Sequence, residues 1–239
     1  MKDLRGDRDD PPALAAALLG WDPEVVIDTS CQSRGAAQQA ASALAGVRAY
    51  ALVSSLNAYV GWPRGPVRSD NDPTWCTDDD DYGPIKAAAE RTLSTAVRGS
   101  VLLARAGLIC GPYDPVDLLG WWLRRMARGG RVVVPEHLEQ PIALVDVRDL
   151  ADWLIHGVEL RWSGGVNTTG PVGMTTLGGL LQTCAQVTSS DAELVPVPDA
   201  DLLTAGVEPW THLPLWVPVE MATTLSDVNT DRPVTGSST

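Results

Sequence analysis

Tyr82 and Lys86, in Asp81-Tyr82-Gly83-Pro84-Ile85-Lys86, stand four residues apart at the head of a helical pattern that runs from Ala87 to Val97. On a helix that spacing puts both side chains on one face. A free phenol ionises near pH 10. An ammonium beside it stabilises phenolate and lowers that value, which makes tyrosine usable as a general acid/base near neutral pH. The plainer alternative is a surface tyrosine at a helix start with an exposed lysine. A second feature favours the chemical reading. The apolar run Tyr50 to Val53 ends in Ser54-Ser55, with Tyr59 and Gly61 beyond it. In a parallel sheet ligands bind outside the carboxyl ends of the strands. A serine there can hydrogen-bond a substrate carbonyl while the phenol delivers or removes the proton. The corresponding alternative is that Ser54 and Ser55 only satisfy backbone groups where the strand ends.

Groups spread over thirty residues need a scaffold to bring them together, and the pattern of the chain supplies one. Val25-Val26-Ile27, Ala49 to Val53 and Val101 to Ala104 are short apolar runs with few alternating polar residues, as expected of parallel strands covered on both faces. Pro11 to Leu19 and Ala36 to Leu44 read as helices between them, the first with Asp10 as N-cap and proline in its first turn. This alternation predicts an α/β fold with a doubly wound parallel sheet and right-handed crossovers. After Pro112 the rhythm changes. Val116 to Arg128 reads as an amphipathic helix stopped by Gly129-Gly130, and Arg131 to Pro135 as a strand. Asp146 caps a helix from Val147 to about Glu159, Gly165 to Thr168 forms a strand, and Thr175 or Thr176 caps a helix to about Val187. From Ser226 the chain is polar and without periodicity, the pattern of a disordered tail.

Bulk properties narrow the partners. The 239 residues are enough for one large α/β domain, or a domain with a smaller lobe. A formal net charge of -12 repels phosphate backbones, which argues against nucleic acid and against an RNA-binding relative of the same fold. Four cysteines without a C-x-x-C pair suit neither a disulfide framework nor zinc, and Cys31 and Cys110 read as buried free thiols in a reducing compartment. His137, His156 and His212 have no spacing that suggests a metal or a catalytic dyad. No apolar run approaches the roughly 20 residues that cross a bilayer, and no signal peptide opens the chain. The expected location is cytoplasmic, with no membrane partner.

Taken in order, several stretches resemble the extended short-chain dehydrogenase/reductases, also called NAD-dependent epimerase/dehydratases. They are Val25-Val26-Ile27-Asp28-Thr29; Val53-Ser54-Ser55 with Tyr59; Tyr82-x-x-x-Lys86; and Arg105-Ala106-Gly107-Leu108-Ile109-Cys110-Gly111-Pro112. Asp146-Val147-Arg148-Asp149-Leu150-Ala151 and Asn167-Thr168-Thr169-Gly170-Pro171 extend the likeness over roughly residues 3 to 218. The resemblance implies a Rossmann-like fold, an NAD or NADP cofactor and a small-molecule substrate; a homodimer is one assembly open to the chain. It implies that Ser55 orients the carbonyl or hydroxyl, that Tyr82 is the general acid/base, and that Lys86 lowers the Tyr82 pKa and holds the nicotinamide ribose. Thr29 and Ser54 would lie along the cofactor, Asp7 and Arg8 would form the turn near adenine, and Ala106, Leu108 and Ile109 would border the nicotinamide. The family usually has proline where Ala106 stands.

The chain also departs from the family. A strand, Gly-rich turn and helix that cradle the pyrophosphate are not found in the first hundred residues, and Gly170-x-x-Gly173 reads as a structural turn. The expected division is therefore 1–112 as a truncated dinucleotide-binding part, 113–225 as a smaller substrate lobe interleaved with returning core elements, and 226–239 as the tail. NAD cannot be told from NADP. Pro84 falls inside the Tyr82–Lys86 interval, tolerable only in a first helical turn. Sugar-nucleotide epimerases of the family carry an arginine for substrate phosphates where Ile142 stands, which points to a less charged carbonyl compound. Trp121 and Trp122 could wall an apolar pocket, or pack their helix on the core. Two functions remain: an NAD(P)-dependent oxidoreductase or epimerase/dehydratase-like enzyme using Ser55, Tyr82 and Lys86, or a non-catalytic remnant of the fold acting as a binding or regulatory module.

Overall fold

The computed structural model describes residues 3–62, 67, 69–142, 144–171 and 173–221, so the expected tail at 226–239 lies outside the described residues. In chain order the elements are α1 (Pro11–Ala17), β1 (Val25–Asp28), α2 (Arg34–Ala43), β2 (Ala49–Ser55), α3 (Tyr82–Ala96), β3 (Ser100–Ala106), β4 (Leu108–Cys110), α4 (Leu118–Ala127) and β5 (Arg131–Pro135). They continue with β6 (Pro141–Ile142), β7 (Leu144–Asp146), α5 (Val147–Glu159), β8 (Gly164–Thr168), β9 (Thr175–Thr176), α6 (Leu177–Val187), β10 (Glu193–Val197) and α7 (Asp199–Thr204). Strands β1, β2, β3 and β8 form one parallel sheet in that order.

The strands are apolar on both sides because both sides are covered. Along β2, Tyr50 and Leu52 join Val101 and Leu103 of β3 in a core closed by the alanine face of α2 and by Ala89 and Leu93 of α3. Their neighbours Ala49, Ala51, Leu102 and Ala104 point the other way and pack under Trp153, Leu154 and Val158 of α5. The period-2 alternation of strands thus sends alternate residues to opposite faces, with alanine prevailing on the α5 side apart from Leu102. Register then aligns the strand ends. Ser55 pairs with Ala106, and Ala106 pairs with Thr168, so three strands finish at one level.

The C-terminal lobe has its own core. Trp122 and Met126 of α4, Leu177 and Leu181 of α6, Leu202 of α7 and Trp216 are buried together. Trp122 is fully buried and donates its indole N–H to the Pro214 carbonyl at 2.7 Å. The structure therefore assigns Trp121 and Trp122 to lobe packing, since a wholly apolar interior offers these large side chains more burial than a solvated pocket wall. Strands β5 and β10 pair in parallel, an element the sequence pattern does not reveal because Glu193–Val197 is short and interrupted by Pro196. The caps at Asp146 and Thr176 are as expected: Asp146 accepts from Arg148 N–H and Thr176 from Gly179 N–H. Asp10 stands at the N-cap of α1 without a side-chain bond.

Candidate active site

Ser55, at the last position of β2, starts a 3₁₀ turn over Leu56–Ala58 and accepts from the Asn57 backbone and side-chain N–H groups, both at 3.1 Å. Helix α3 begins against that turn. A Cβ on Gly83 would stand 2.3 Å from the Asn57 carbonyl, so only glycine allows the approach that brings Tyr82 beside Ser55. Pro84 falls in the first turn of α3, where its missing N–H costs no helical bond. The tyrosine–lysine spacing holds: the Lys86 ammonium lies 5.7 Å from the Tyr82 ring centroid.

The two side chains have opposite surroundings. Tyr82 is 48% exposed, whereas Lys86 is 2% exposed. Lys86 Nζ donates to the Cys31 carbonyl at 2.9 Å and the Val53 carbonyl at 3.1 Å, tying the loop after β1 to the end of β2. Burial pushes the Lys86 pKa below its ordinary value, against the pull of nearby Cys31 and Asp28. Burial likewise pushes the Tyr82 phenol up, and the Ser55 hydroxyl offsets part of that rise. In the protein alone the Tyr82 pKa is therefore raised, contrary to the lowering expected from Lys86. The cause is burial, which the Ser55 hydroxyl offsets only in part.

Beneath this surface runs a polar network that the sequence reading missed. Glu90, four residues after Lys86, accepts from Ser54 Oγ at 2.6 Å and from Arg105 Nη2 at 2.7 Å. Arg105 also donates to the Tyr59 hydroxyl at 2.8 Å, and Tyr59 donates to Asn167 Oδ1 at 2.7 Å. The Arg105 guanidinium packs where a Cβ of Gly165 would stand, 2.6 Å from its central carbon. The network ties α3, β2, β3 and β8 together directly behind Ser55. Its signals in the sequence are faint: an acid within the alanine run Ala87–Ala89 and an arginine within the apolar strand Val101–Ala106.

A cleft of about 990 Å³ opens over the ends of β2 and β3 and extends to the lobe. Thr29, Ser54, Ser55, Tyr82, Lys86, Ala106, Leu108 and Ile109 all line it. Asp7 and Arg8 do not. Arg8 donates to both carboxylate oxygens of Asp28, at 2.6 and 2.8 Å, and to Ser30 at 2.8 Å. Asp28 also accepts from the buried Tyr50 hydroxyl at 2.6 Å. Arg8 is thus an anchor for the N-terminal segment, and Asp7 closes the turn beside it by accepting from Asp9 N–H at 2.9 Å. Cys31 and Cys184 are buried free thiols, while Cys110 is half-buried at the cleft wall. Among the described residues no group of three potential metal ligands forms, and no helix is long and apolar enough to cross a membrane.

No protein-family model and no curated protein matches the sequence. Solved structures do match the fold. UDP-glucose 4-epimerase from Thermus thermophilus, in complex with NAD, is 15% identical, with a TM-score of 0.60 over 94% of this chain and 83% of that one. dTDP-4-dehydrorhamnose reductase from Bacillus anthracis, in complex with NADP, is 14% identical, with a TM-score of 0.62 over 82% of this chain and 73% of that one. UDP-glucose 4-epimerase from Thermotoga maritima, with UDP-glucose, is 18% identical, with a TM-score of 0.58 over 80% and 70%. At such identities the likeness carries the fold alone: this chain is an α/β protein built on the frame that these epimerases and reductases share.

Proposed function

We propose that the chain is an NAD(P)-dependent oxidoreductase or epimerase-like enzyme that works on a small carbonyl or hydroxyl compound. One observation carries this reading: Ser55, Tyr82 and Lys86 meet on one cleft wall at the carboxyl ends of the sheet strands. Residues 1–112 would supply the cofactor side and 113–225 the substrate side. The dinucleotide fits in part. Lys86, Tyr82, Ser54 and the segment Ala106–Ile109 would hold the nicotinamide riboside, and Thr29 would lie along it; Asp7 and Arg8 stand off the cleft and take no part in that contact. Among the described residues no Gly-rich turn joins a strand to a helix as a pyrophosphate cradle, and β1 is an edge strand. When bound, the nicotinamide supplies or takes up a hydride. The protein's own part is acid–base: Ser55 aligns the substrate oxygen, and the Tyr82 phenol gives or receives its proton.

The test is NAD(P)H-coupled turnover on a panel of carbonyl compounds. Tyr82→Phe is expected to reduce turnover by about 10²-fold or more with the melting temperature unchanged, because half of the residue faces solvent. Full activity in that variant would refute the role. A second reading, binding without turnover, is favoured by the commitment of two Lys86 donors to backbone carbonyls. Saturable NADH or NADPH binding with a micromolar Kd, about 8 kcal/mol, combined with no turnover on any compound would select it.

A further inference from the structure

We propose that Asp28 is a positioning residue of the candidate site: it holds the Cys31 and Val53 carbonyls at the separation that grips Lys86, and Arg8 locks it in that place. The assignment rests on the reading above, in which Lys86 faces the cofactor. It gives the N-terminal segment a part in the site although neither Asp7 nor Arg8 reaches the cleft.

Lys86 Nζ bridges two segments that are separate in the chain. One acceptor, Cys31, lies in the link between β1 and α2; the other, Val53, lies in β2. Asp28 bridges the same two segments a few residues back. Its Oδ1 accepts the Ser30 backbone N–H at 3.1 Å, one residue before Cys31. Its Oδ2 accepts the Tyr50 hydroxyl at 2.6 Å, three residues before Val53. Two ties, one made by a cation and one by an anion, thus span a single gap.

The carboxylate has nothing left over for another task. Each oxygen carries two lone pairs, and four donors match them: Arg8 Nη1 and Ser30 N–H on Oδ1, Arg8 Nη2 and the Tyr50 hydroxyl on Oδ2. Asp28 is buried and does not line the cleft. Arg8 adds a bond to Ser30 Oγ at 2.8 Å, and its neighbour Asp9 accepts from Ser33 Oγ at 2.6 Å. The link from Thr29 to Ser33 is therefore held at both ends by the N-terminal segment. Between those holds it presents Thr29 and Gln32 to the cleft and the Cys31 carbonyl to Lys86. An ammonium has three N–H donors; with two fixed on these carbonyls, the third is left for a cleft ligand.

Charge alone does not explain the arrangement. Burial pushes the Lys86 pKa down, Cys31, Asp28 and Glu90 pull it up, and Arg8 pushes it down. Arg8 and Asp28 oppose each other at the amine, so removing both together moves the acceptors more than it alters the local charge.

The test follows the Lys86 amine itself. The chain has two lysines, so labelling with nitrogen-15 lysine gives two side-chain signals, and Lys86→Arg identifies the one of interest. Exchange of its Nζ protons with water is compared in the wild type, Arg8→Gln/Asp28→Asn, Tyr50→Phe and Leu181→Ala. The paired variant leaves neither charge stranded and should speed exchange about tenfold, or 1.4 kcal/mol, because one acceptor drifts from the amine. Tyr50→Phe removes one donor without changing charge and should speed it less. Leu181→Ala weakens the lobe core and should leave the rate unchanged, which separates positioning from general loss of stability. Wild-type exchange in the folded paired variant, equal acceleration in Leu181→Ala, or a wild-type amine that exchanges as fast as free lysine would overturn the proposal. If the paired variant does not fold, Tyr50→Phe decides alone, and a wild-type rate there overturns the proposal. No cofactor enters the measurement, so its failure is separate from that of the reading above, which falls if NAD(P)H-coupled turnover is indifferent to Tyr82→Phe.

Discussion

The sheet and the lobe are stabilised in contrasting ways. Every buried charged residue among those described, namely Asp28, Lys86, Glu90 and Arg105, belongs to the sheet strands or α3. The lobe core is built of tryptophan, leucine, valine and methionine, and Gln140 is its buried polar residue. Charges in a low-dielectric interior demand defined partners in defined directions. Apolar packing fixes shape and volume and leaves direction looser. The side that carries Ser55, Tyr82 and Lys86 is held by charges. The lobe side of the cleft is held by shape.

This contrast can be broken by three measurements, in falling order of effect. Glu90→Ala strands the Arg105 guanidinium in the interior and should cost about 3–5 kcal/mol of unfolding free energy. The double variant Glu90→Leu/Arg105→Leu should recover much of that loss in urea denaturation, because it leaves no lone charge behind. In the lobe, Leu181→Ala removes a fully buried side chain and should cost about 3 kcal/mol through the cavity it leaves. That loss should be the same at low and high salt. Last comes acid sensitivity. Burial alone would raise the Asp28 pKa, but the hydrogen bonds from Arg8 and Tyr50 outweigh it and hold the carboxyl below the usual range. A depressed folded pKa stabilises fully above the unfolded value of about 3.9 and is lost as pH falls through the folded one. Urea midpoints should therefore drop below about pH 4, and Asp28→Asn should flatten that acid limb while lowering stability at neutral pH.

What the sequence reveals, and what it hides, follows the same divide. Asp146 and Thr176 are readable as caps because each acts on a backbone N–H two or three residues away. The helix stop at Gly129-Gly130 is readable because both glycines have positive φ, 65° and 66°. Strands β2 and β3 are readable because two-sided burial leaves a continuous apolar run. The partnership of Glu90 with Arg105 is hidden because it joins α3 to β3, and only the fold makes them neighbours. Arg8 illustrates the same limit. Its place in the turn is local information, whereas its bond to Asp28, twenty residues on, is not. The left-handed backbones of Trp210 and Leu215 are hidden for a further reason: that conformation at a bulky residue has no signature in side-chain type.

The clamp made by Lys86 has a practical consequence. The chain contains only two lysines, and this one is 2% exposed with its amine held between the ends of two structural segments. An amine-directed acylating reagent meets it only through the cleft, and acylation would displace the bonds to the Cys31 and Val53 carbonyls. The time course of modification at this one position, read by mass spectrometry, becomes a clock for how often the amine leaves its two carbonyls.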